Sequence, residues 1–215
     1  MRALRLLFAA ATGYLVGTVS SADIAARLAT GGVVDLRSSG SRNPGGVNAL
    51  RLLGKGRGRA VIVADVAKGL VACACACACG RRVAGDVGAH FAGVAAVLGH
   101  CYPLWTRFRG GKGVATSFGQ CLYTFPVAAP LDLVVATAVT HVPGLRHRAL
   151  VSTGVASGVW LAASVLWWKR RLPNWWGPPP TAALPLANGE TVLVVASAFA
   201  RALYRRYPDE LATER

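Results

Sequence analysis

The sequence predicts an all-α protein, a helix bundle that crosses a membrane about seven times. Hydrophobic residues make up 53% of the 215 residues and charged residues only 15%, whereas an average soluble domain has about 25% charged residues. The apolar stretches approach the roughly 20 residues that a membrane-spanning helix needs. The 24 Lys and Arg outnumber the 9 Asp and Glu and gather between these stretches, which favours an anionic membrane surface over nucleic acid as a partner.

The first apolar segment, residues 4–28, is predicted to be an uncleaved helix. Two arginines, an apolar core and small residues are also typical of a cleaved signal peptide. We favour a span because the apolar segment continues past the small residues and further spans follow. A polar, glycine-rich loop at 30–59 leads to a second span at 60–79, and a short turn at 80–85 leads to a third span at 87–105.

The second half of the chain continues this pattern. A second basic, glycine-rich loop lies at residues 106–113. Pro126 and Pro130 break the next apolar segment, 114–145, which predicts two shorter helices, or six spans in total if they form one kinked span. Two tryptophans and a Pro/Trp-rich loop separate the last two spans and are typical of a membrane interface. These spans are expected at 149–168 and 189–203.

The distribution of Lys and Arg predicts which side of the membrane each loop faces. Basic residues in short loops favour the cytoplasmic side. With seven spans, most basic residues fall on one side, so we expect the N-terminus outside and both glycine-rich loops and the C-terminus in the cytoplasm. Arg2, Arg5 and the cluster 169–171 lie on the other side, against the rule. The residues that set the orientation are Arg37, Arg42, Arg51, Lys55, Arg57, Arg59, Arg107, Arg109, Lys112, Arg201, Arg205 and Arg206.

The six cysteines are expected to be small apolar filler. Zinc sites use CxxC-type spacing with a second pair or histidines, and an i, i+2 spacing on a helix sends side chains to different faces. We therefore expect no metal site. Four of the cysteines alternate with alanine and two are isolated, namely Cys73, Cys75, Cys77 and Cys79, then Cys101 and Cys121.

Residues 40–51, GSRNPGGVNALR, differ from an ordinary loop. Glycines let backbone N–H groups approach an anion, and Ser41, Asn43 and Asn48 add neutral donors. Arg51 adds a planar guanidinium suited to phosphate. From composition alone, a phosphate site and a flexible connector remain equally good interpretations.

The second candidate segment runs from Gly99 through the turn FRGGKGVAT at 108–116. It is not a Walker loop, because Thr106 stands where the first glycine is required and glycine follows Lys112. A glycine-lysine turn that opens a helix still offers N–H groups and positive charge to an anion. His100 lies beside this turn and is a candidate base or donor. The remaining histidines are interpreted as structural, namely His90, His141 and His147.

Asp65 and Lys68 lie three residues apart inside the second span. Charged side chains inside a membrane are generally paired or functional. An intrahelical pair that braces the loops is our first interpretation, and direct contact with substrate is the second. Asp23, near the end of the first span, is a weaker case of the same kind.

At these residues the sequence resembles the PlsY family. The family motif GSGNxGATNxxR is matched by residues 40–51, its DxxKG element by residues 65–69, and its motif GHxFPxFxxFKGGKGVAT by residues 99–116. The resemblance covers about residues 14–120. The chain departs from the family at Arg42, Val47 and Arg109. A third family motif, RHxxNIxRLxxGxE, is reduced here to residues 204–211, without its histidine and asparagine.

The resemblance implies one integral membrane acyltransferase domain, residues 1–215, in a bacterial inner membrane with its active site facing the cytoplasm. It implies transfer of a fatty acyl group from acyl phosphate to glycerol 3-phosphate, which gives lysophosphatidic acid and phosphate. We expect no cofactor, and partners are the two substrates, the lipid bilayer and, as further candidates, other enzymes of phospholipid synthesis. Catalytic candidates are His100, Lys112 and Ser41, and substrate-binding candidates are Asn43, Gly45, Asn48, Arg51, Gly110, Gly111, Gly113 and Thr116.

Two alternatives remain open from the sequence. The altered third motif is compatible with a catalytically degenerate paralogue or a membrane scaffold in lipid synthesis. The charged residues inside the second span are compatible with a transporter for a phosphorylated solute, although transporters often contain two similar halves and no internal repeat is visible here.

Overall fold

The computed structural model describes residues 2–80 and 85–204. These residues form helices joined by loops, without any strand. The order is α1 (Arg2–Thr18), α2 (Ser21–Thr30), α3 (Gly46–Leu53), α4 (Lys55–Gly80), α5 (Gly85–Cys101), α6 (Val114–Thr124), α7 (Ala129–Thr140), α8 (Arg148–Arg170) and α9 (Ala183–Tyr204). Short 3₁₀ helices lie at Leu104–Thr106 and Pro126–Ala128. The all-α prediction is confirmed for the described residues.

Helices α1 and α5 run parallel and touch through their backbones. Gly13 of α1 lies against the backbone of Ala92 in α5, and Gly17 lies one turn further on against Ala96. A Cβ at either glycine would overlap the facing carbonyl oxygen. Small residues permit this close approach between membrane helices. The contact brings Thr18 and Cys101, the last residues of the two helices, to one end of the bundle, here called the site end.

The other long helices alternate in direction relative to the site end. Helix α4 leads away from it and α5 returns. Helix α8 starts beside the site end, where Leu150 packs near Val97 and Phe199, and reaches the opposite end, where Trp167 stacks edge-on against Phe125. Helix α9 then returns and brings Arg201 beside the backbone of Cys101.

The segment 114–145 forms the two shorter helices that were predicted, α6 and α7. Helix α6 begins inside the bundle, because Gly113 lies against Val97 of α5 and Val195 of α9. It points away from the site end, and Phe125, Pro126 and the 3₁₀ turn reverse the chain into α7. Each of the two helices is only about 16–18 Å long at 1.5 Å per residue.

Several predicted boundaries were wrong. The first helix is not continuous over 4–28: Val19 and Ser20 are non-helical, and the Ser20 side chain caps α2 by accepting from the N–H of Asp23. The loop predicted at 30–59 contains α3 and the start of α4. Both errors have one cause, since capping contacts and short amphipathic helices in glycine-rich segments carry a weak periodic signal.

In the part of the chain that the structure describes, four stretches are long and apolar enough to cross a membrane: Ala3–Thr30, Asp86–Thr106, Arg148–Arg170 and Ala183–Tyr204. The apolar helix Pro126–Thr140 is shorter. Helix α4 is long but carries charged residues in its first half. The predicted turn with Arg81 and Arg82, and the tail with Arg205, Arg206 and the rest of the third motif, lie outside the described residues.

Two sets of residues that were interpreted as structural differ in environment. Among the cysteines, Cys73, Cys101 and Cys121 are buried, Cys75 is exposed, and all four are free thiols; the side chains of Cys77 and Cys79 lie outside the described part. His90 is buried in α5, whereas His141 and His147 are exposed.

Candidate active site

A pocket opens at the site end, where the break between α1 and α2 faces the C-terminal end of α5. It receives residues from both glycine-rich loops, with Pro44 from the first and Gly110 and Gly111 from the second. Its lining residues are Gly17, Thr18, Val19, Ser20, Ser21, Arg37, Pro44, Asp65, Lys68, His100, Pro103, Gly110 and Gly111.

Asp65 is the centre of a buried charge cluster in the floor of this pocket. Its Oδ1 accepts a 2.5 Å hydrogen bond from Ser21 Oγ and lies 2.9 Å from Lys68 Nζ and 3.6 Å from His100 Nδ1. The predicted intrahelical pair of Asp65 and Lys68 is therefore confirmed. Lys68 Nζ also donates to the carbonyl of Val19, which explains how the break after α1 is held.

The cluster is almost closed to solvent: Asp65, Lys68 and His100 are 2%, 9% and 8% exposed. Buried charges are tolerated when they are paired and hydrogen-bonded. The arrangement joins α2, α4 and α5 beneath the loops, as expected for a brace. It also leaves the other edge of the His100 ring against Gly111, where an added Cβ would overlap Nε2.

Asn48 holds the first glycine-rich loop in one conformation. Its side chain is fully buried, and its Nδ2 donates 3.0 Å bonds to the carbonyls of Leu36 and Ser39. Its Oδ1 accepts from the N–H of Ser41 at 3.0 Å and leaves room at Gly40 for hydrogen only, where φ is +59°. The amide of this predicted substrate-binding residue is thus used inside the loop.

The other candidates of the first loop surround that brace. Ser41 is 4% exposed and Asn43 is half-buried. Gly45 stands at the N-cap position of α3 in an extended conformation. Arg51, in the last turn of α3, is exposed. Arg42 has φ of +54°, a left-handed conformation in which the glycine of the family motif carries no steric cost.

Arg37 connects the two glycine-rich loops. Its Nε donates to the carbonyl of Arg109 at 2.8 Å, and its Nη1 forms an ion pair with Asp23 of α2. The residue was counted only for orientation in the sequence. Arg37 lies in the loop after α2 and Asp23 lies in α2, so the two residues do not share a helix and no helical spacing in the sequence predicts their ion pair.

The second glycine-rich loop folds back onto the end of α5. The N–H groups of Gly110 and Gly111 donate 3.1 Å bonds to the carbonyls of Cys101 and His100. These carbonyls belong to the last turn of α5, which lacks intrahelical donors. Two of the expected anion-binding N–H groups are therefore engaged within the protein. The start of α6 is the remaining part of the loop that presents a helix N-terminus.

Helix α6 starts at a position that requires glycine. Gly113 has φ of +84°, and a Cβ there would press against Cys101 and Val97. Lys112 precedes it, with Nζ 4.8 Å from the centre of the Phe199 ring of α9. Thr116 follows in the first turn and is fully buried. The sequence expectation of a lysine at a helix start is thus met geometrically.

Arg201 of α9 contacts the second loop from the opposite side. Its Nη1 donates to the carbonyls of Cys101 at 2.9 Å and Phe108 at 2.6 Å, and its Nη2 to those of Gly110 at 3.1 Å and Gly111 at 3.4 Å. The guanidinium also lies 4.5 Å above the Tyr102 ring. No local pattern in the sequence indicates these contacts, because the partners of Arg201 are 90 to 100 residues away in the chain.

The sequence is similar to those of known proteins. Residues 7–207 match a family model described as glycerol-3-phosphate acyltransferase. The chain is 40% identical over 138 residues to the glycerol-3-phosphate acyltransferase of Symbiobacterium thermophilum, covering 64% of this chain and 65% of that protein. It is 39% identical over 155 residues to the protein of that name from Klebsiella pneumoniae, covering 72% and 71%. The first of these matches spans slightly less than two thirds of the curated relative.

Among solved structures, the fold is similar to that of PlsY (YgiH), described as an integral membrane glycerol 3-phosphate acyltransferase, in its glycerol 3-phosphate form. The TM-score is 0.70 with 25% sequence identity, and the match covers 93% of this chain and 90% of that one. The lysophosphatidic acid form of the same protein matches with a TM-score of 0.69.

Proposed function

Since this chain belongs to the glycerol-3-phosphate acyltransferase family and is an integral membrane protein by its fold, we propose that it transfers a fatty acyl group to glycerol 3-phosphate. The proposed donor is acyl phosphate, and the products are lysophosphatidic acid and inorganic phosphate. The donor rests on the resemblance of the two glycine-rich loops to the PlsY motifs, and the acceptor on the family match.

The observation that carries this proposal is the meeting of the two glycine-rich loops at the site end. Arg37 bonds the carbonyl of Arg109, and both loops line one pocket. Two phosphate-bearing substrates need two anion sites side by side, and a pair of adjacent basic loops supplies that arrangement. A single loop would account for the binding of one phosphate, but not for the transfer of an acyl group between two phosphate-bearing substrates.

The reaction requires one bond to form and one to break at the acyl carbon. A hydroxyl oxygen of glycerol 3-phosphate attacks the acyl carbonyl, and the bond from that carbon to the phosphate oxygen breaks. The hydroxyl proton passes to a base and phosphate leaves. Because acyl phosphate is an activated anhydride, positioning and charge neutralisation supply most of the rate. No covalent enzyme intermediate is needed.

The catalytic roles follow from where the candidates lie. Lys112 at the start of α6 neutralises phosphate charge, together with the helix N-terminus at Gly113 and Thr116. Ser41, Asn43 and Arg51 serve the second phosphate from the first loop.

We propose His100 as the base that takes the proton of the attacking hydroxyl, or as the hydrogen-bond acceptor that orients this hydroxyl. Asp65 lies beside its Nδ1, which favours a proton on that nitrogen and leaves Nε2 as the acceptor. Asn48, Gly45, Gly110 and Gly111 shape the two loops. The phosphate of the substrate itself is a rival base.

The proposed membrane arrangement has seven passes, with the N-terminus outside and the site end in the cytoplasm of a bacterial inner membrane. The alternating directions of α1, α4, α5 and α6 to α9 support an odd number of passes, although α6 and α7 are short for the roughly 30 Å hydrocarbon layer. Most loop arginines and lysines then face the cytoplasm.

A phosphate-release assay tests the proposal directly. Purified protein with acyl phosphate and glycerol 3-phosphate is expected to release phosphate only when both substrates are present. Replacement of the donor by acyl-coenzyme A tests the donor separately, with the released coenzyme A thiol measured in place of phosphate. Release at the background rate with every donor would contradict the transferase and favour the degenerate paralogue, for which the altered C-terminal motif is the supporting observation.

The variant Lys112→Ala tests the site assignment. Loss of a charge that stabilises the leaving phosphate costs on the order of 10²–10³ in kcat, while the protein still folds in detergent. Lys169→Ala is the matched control, because Lys169 is an exposed lysine in the last turn of α8, at the end of the bundle away from the site end. Near-normal turnover by Lys112→Ala would show that the phosphate site lies elsewhere.

A further inference from the structure

The guanidinium of Arg201 lies among four backbone carbonyls. One belongs to the last residue of α5, and three belong to the loop between α5 and α6. The four are those of Cys101, Phe108, Gly110 and Gly111. In a planar peptide the carbonyl and the following N–H point in opposite directions. Turning the carbonyls of Gly110 and Gly111 toward Arg201 therefore turns the N–H groups of Gly111 and Lys112 away from it. The orientation of the loop is thus linked to this one side chain.

The loop is also held by the bonds of Gly110 and Gly111 to the end of α5 and by Arg37 at the carbonyl of Arg109, yet its backbone is strained. Arg107 and Phe108 are consecutive non-glycine residues in the left-handed region, with φ of +53° and +61°. Such conformations persist when the surroundings over-determine them. Four carbonyl dipoles converging on one point also repel one another unless a cation lies between them. Arg201 supplies that cation, and it adds a favourable charge at the C-terminal end of α5.

Arginine is suited to this task in a way that lysine is not. Its planar fork places two nitrogens on separate pairs of carbonyls, whereas an ammonium group is a single point. The Tyr102 ring supports the flat face of the guanidinium at 4.5 Å. The ring is itself fixed, since Tyr102 Oη lies 2.8 Å from Ser197 Oγ and the Tyr102 carbonyl accepts from Tyr14 Oη.

We propose that Arg201 is a positioning residue, which ties α9 to the second glycine-rich loop and holds that loop in its substrate-binding arrangement. It acts through Gly110, Gly111 and the following Lys112, without contact to the substrates. The inference rests on the proposed acyl transfer for its kinetic consequence, but the loop geometry can be measured without any activity.

The kinetic test separates positioning from simple loss of folded protein. If Arg201→Met leaves the loop competent for only a fraction of the time, substrate must select that fraction, and apparent affinity falls by the same factor. We expect KM for a phosphate-bearing substrate to rise at least tenfold while kcat changes less than twofold. A variant that merely unfolds in part lowers the maximal rate with KM unchanged.

Two further measurements complete the test. Guanidinium ion at millimolar concentration is expected to lower the KM of Arg201→Met most of the way back to the wild-type value. The KM of Arg201→Lys is expected to stay raised. Arg170→Met, at the exposed end of α8, serves as the control with unchanged kinetics. An unchanged KM in Arg201→Met would overturn the proposal.

Hydrogen exchange of the amides of Gly110 and Gly111 provides the readout that is independent of activity. Both amides donate to the end of α5, and Arg201→Met is expected to accelerate their exchange at least tenfold while amides in the middle of α5 keep their protection. Accelerated exchange in a protein without transferase activity would retain the positioning role and reject the proposed reaction. Unchanged exchange would overturn the positioning role whatever the activity.

Discussion

At the scale of single residues, the carboxylate of Asp65 joins three elements at the site end. It receives Ser21 from α2, Lys68 from its own helix and His100 from α5. The sequence predicted only the contact with Lys68, since two residues three apart on a helix share a face. The contacts with Ser21 and His100 depend on how three helices pack, and no local pattern encodes them.

Replacing Asp65 by Asn is expected to destabilise the protein by about 3–5 kcal/mol, because it leaves the buried Lys68 ammonium without a counter-charge. The measurement is the free energy of unfolding in detergent. The double variant Asp65→Asn/Lys68→Met removes both charges and is expected to recover most of the loss. Equal stability of wild type and the single variant would show that the pair does not stabilise the fold.

At the scale of elements, the contact between α1 and α5 places both Thr18 and His100 in the lining of the pocket. Both helices were predicted from hydropathy, but their parallel contact was not. The glycines at positions 13 and 17 are visible in the sequence as a small-residue pattern, yet such a pattern does not name the partner helix. The break at Val19 and Ser20 was missed for a similar reason, because its stabilising partner is Lys68 of α4.

A glycine substitution tests this helix contact. Gly17→Ala places a methyl group against the carbonyl of Ala96 and is expected to cost about 1–3 kcal/mol through overpacking. Gly158→Ala in α8 is the matched control, since a Cβ there has open space within 4 Å. The control is expected to be neutral or stabilising by up to about 1 kcal/mol. Unfolding in detergent compares the two, and equal effects would contradict the close contact.

At the scale of the whole molecule, the proposed seven passes would place the N-terminus and the C-terminus on opposite sides of the membrane. The hydropathy of the sequence predicted an all-helical protein and the approximate positions of α5, α8 and α9, whereas the number of membrane passes stays a prediction. It could not predict the depth at which α6 begins, because that depends on Gly113 packing between α5 and α9. It also could not predict the contact of Arg201 with loop residues that lie 90 to 93 positions earlier in the chain.

Cysteine labelling tests the orientation. In a variant with the six native cysteines replaced by alanine, Val33→Cys and Pro179→Cys place single thiols at opposite ends, where both positions are exposed. In spheroplasts, a membrane-impermeant maleimide is expected to label position 179 and to spare position 33 until the cells are permeabilised. The reverse pattern would invert the proposed topology.

The ion pair of Asp65 and Lys68 also has a consequence for biogenesis. Helix α4 carries Lys55, Arg57 and Arg59 before the pair, and it leaves the ribosome before α5 does. A carboxylate and an ammonium group one turn apart neutralise each other within the nascent helix, so in the proposed seven-pass arrangement α4 would enter the bilayer with its own counter-ion. His100 emerges later, so its contact with Asp65 forms only after the pair within α4 is already in place.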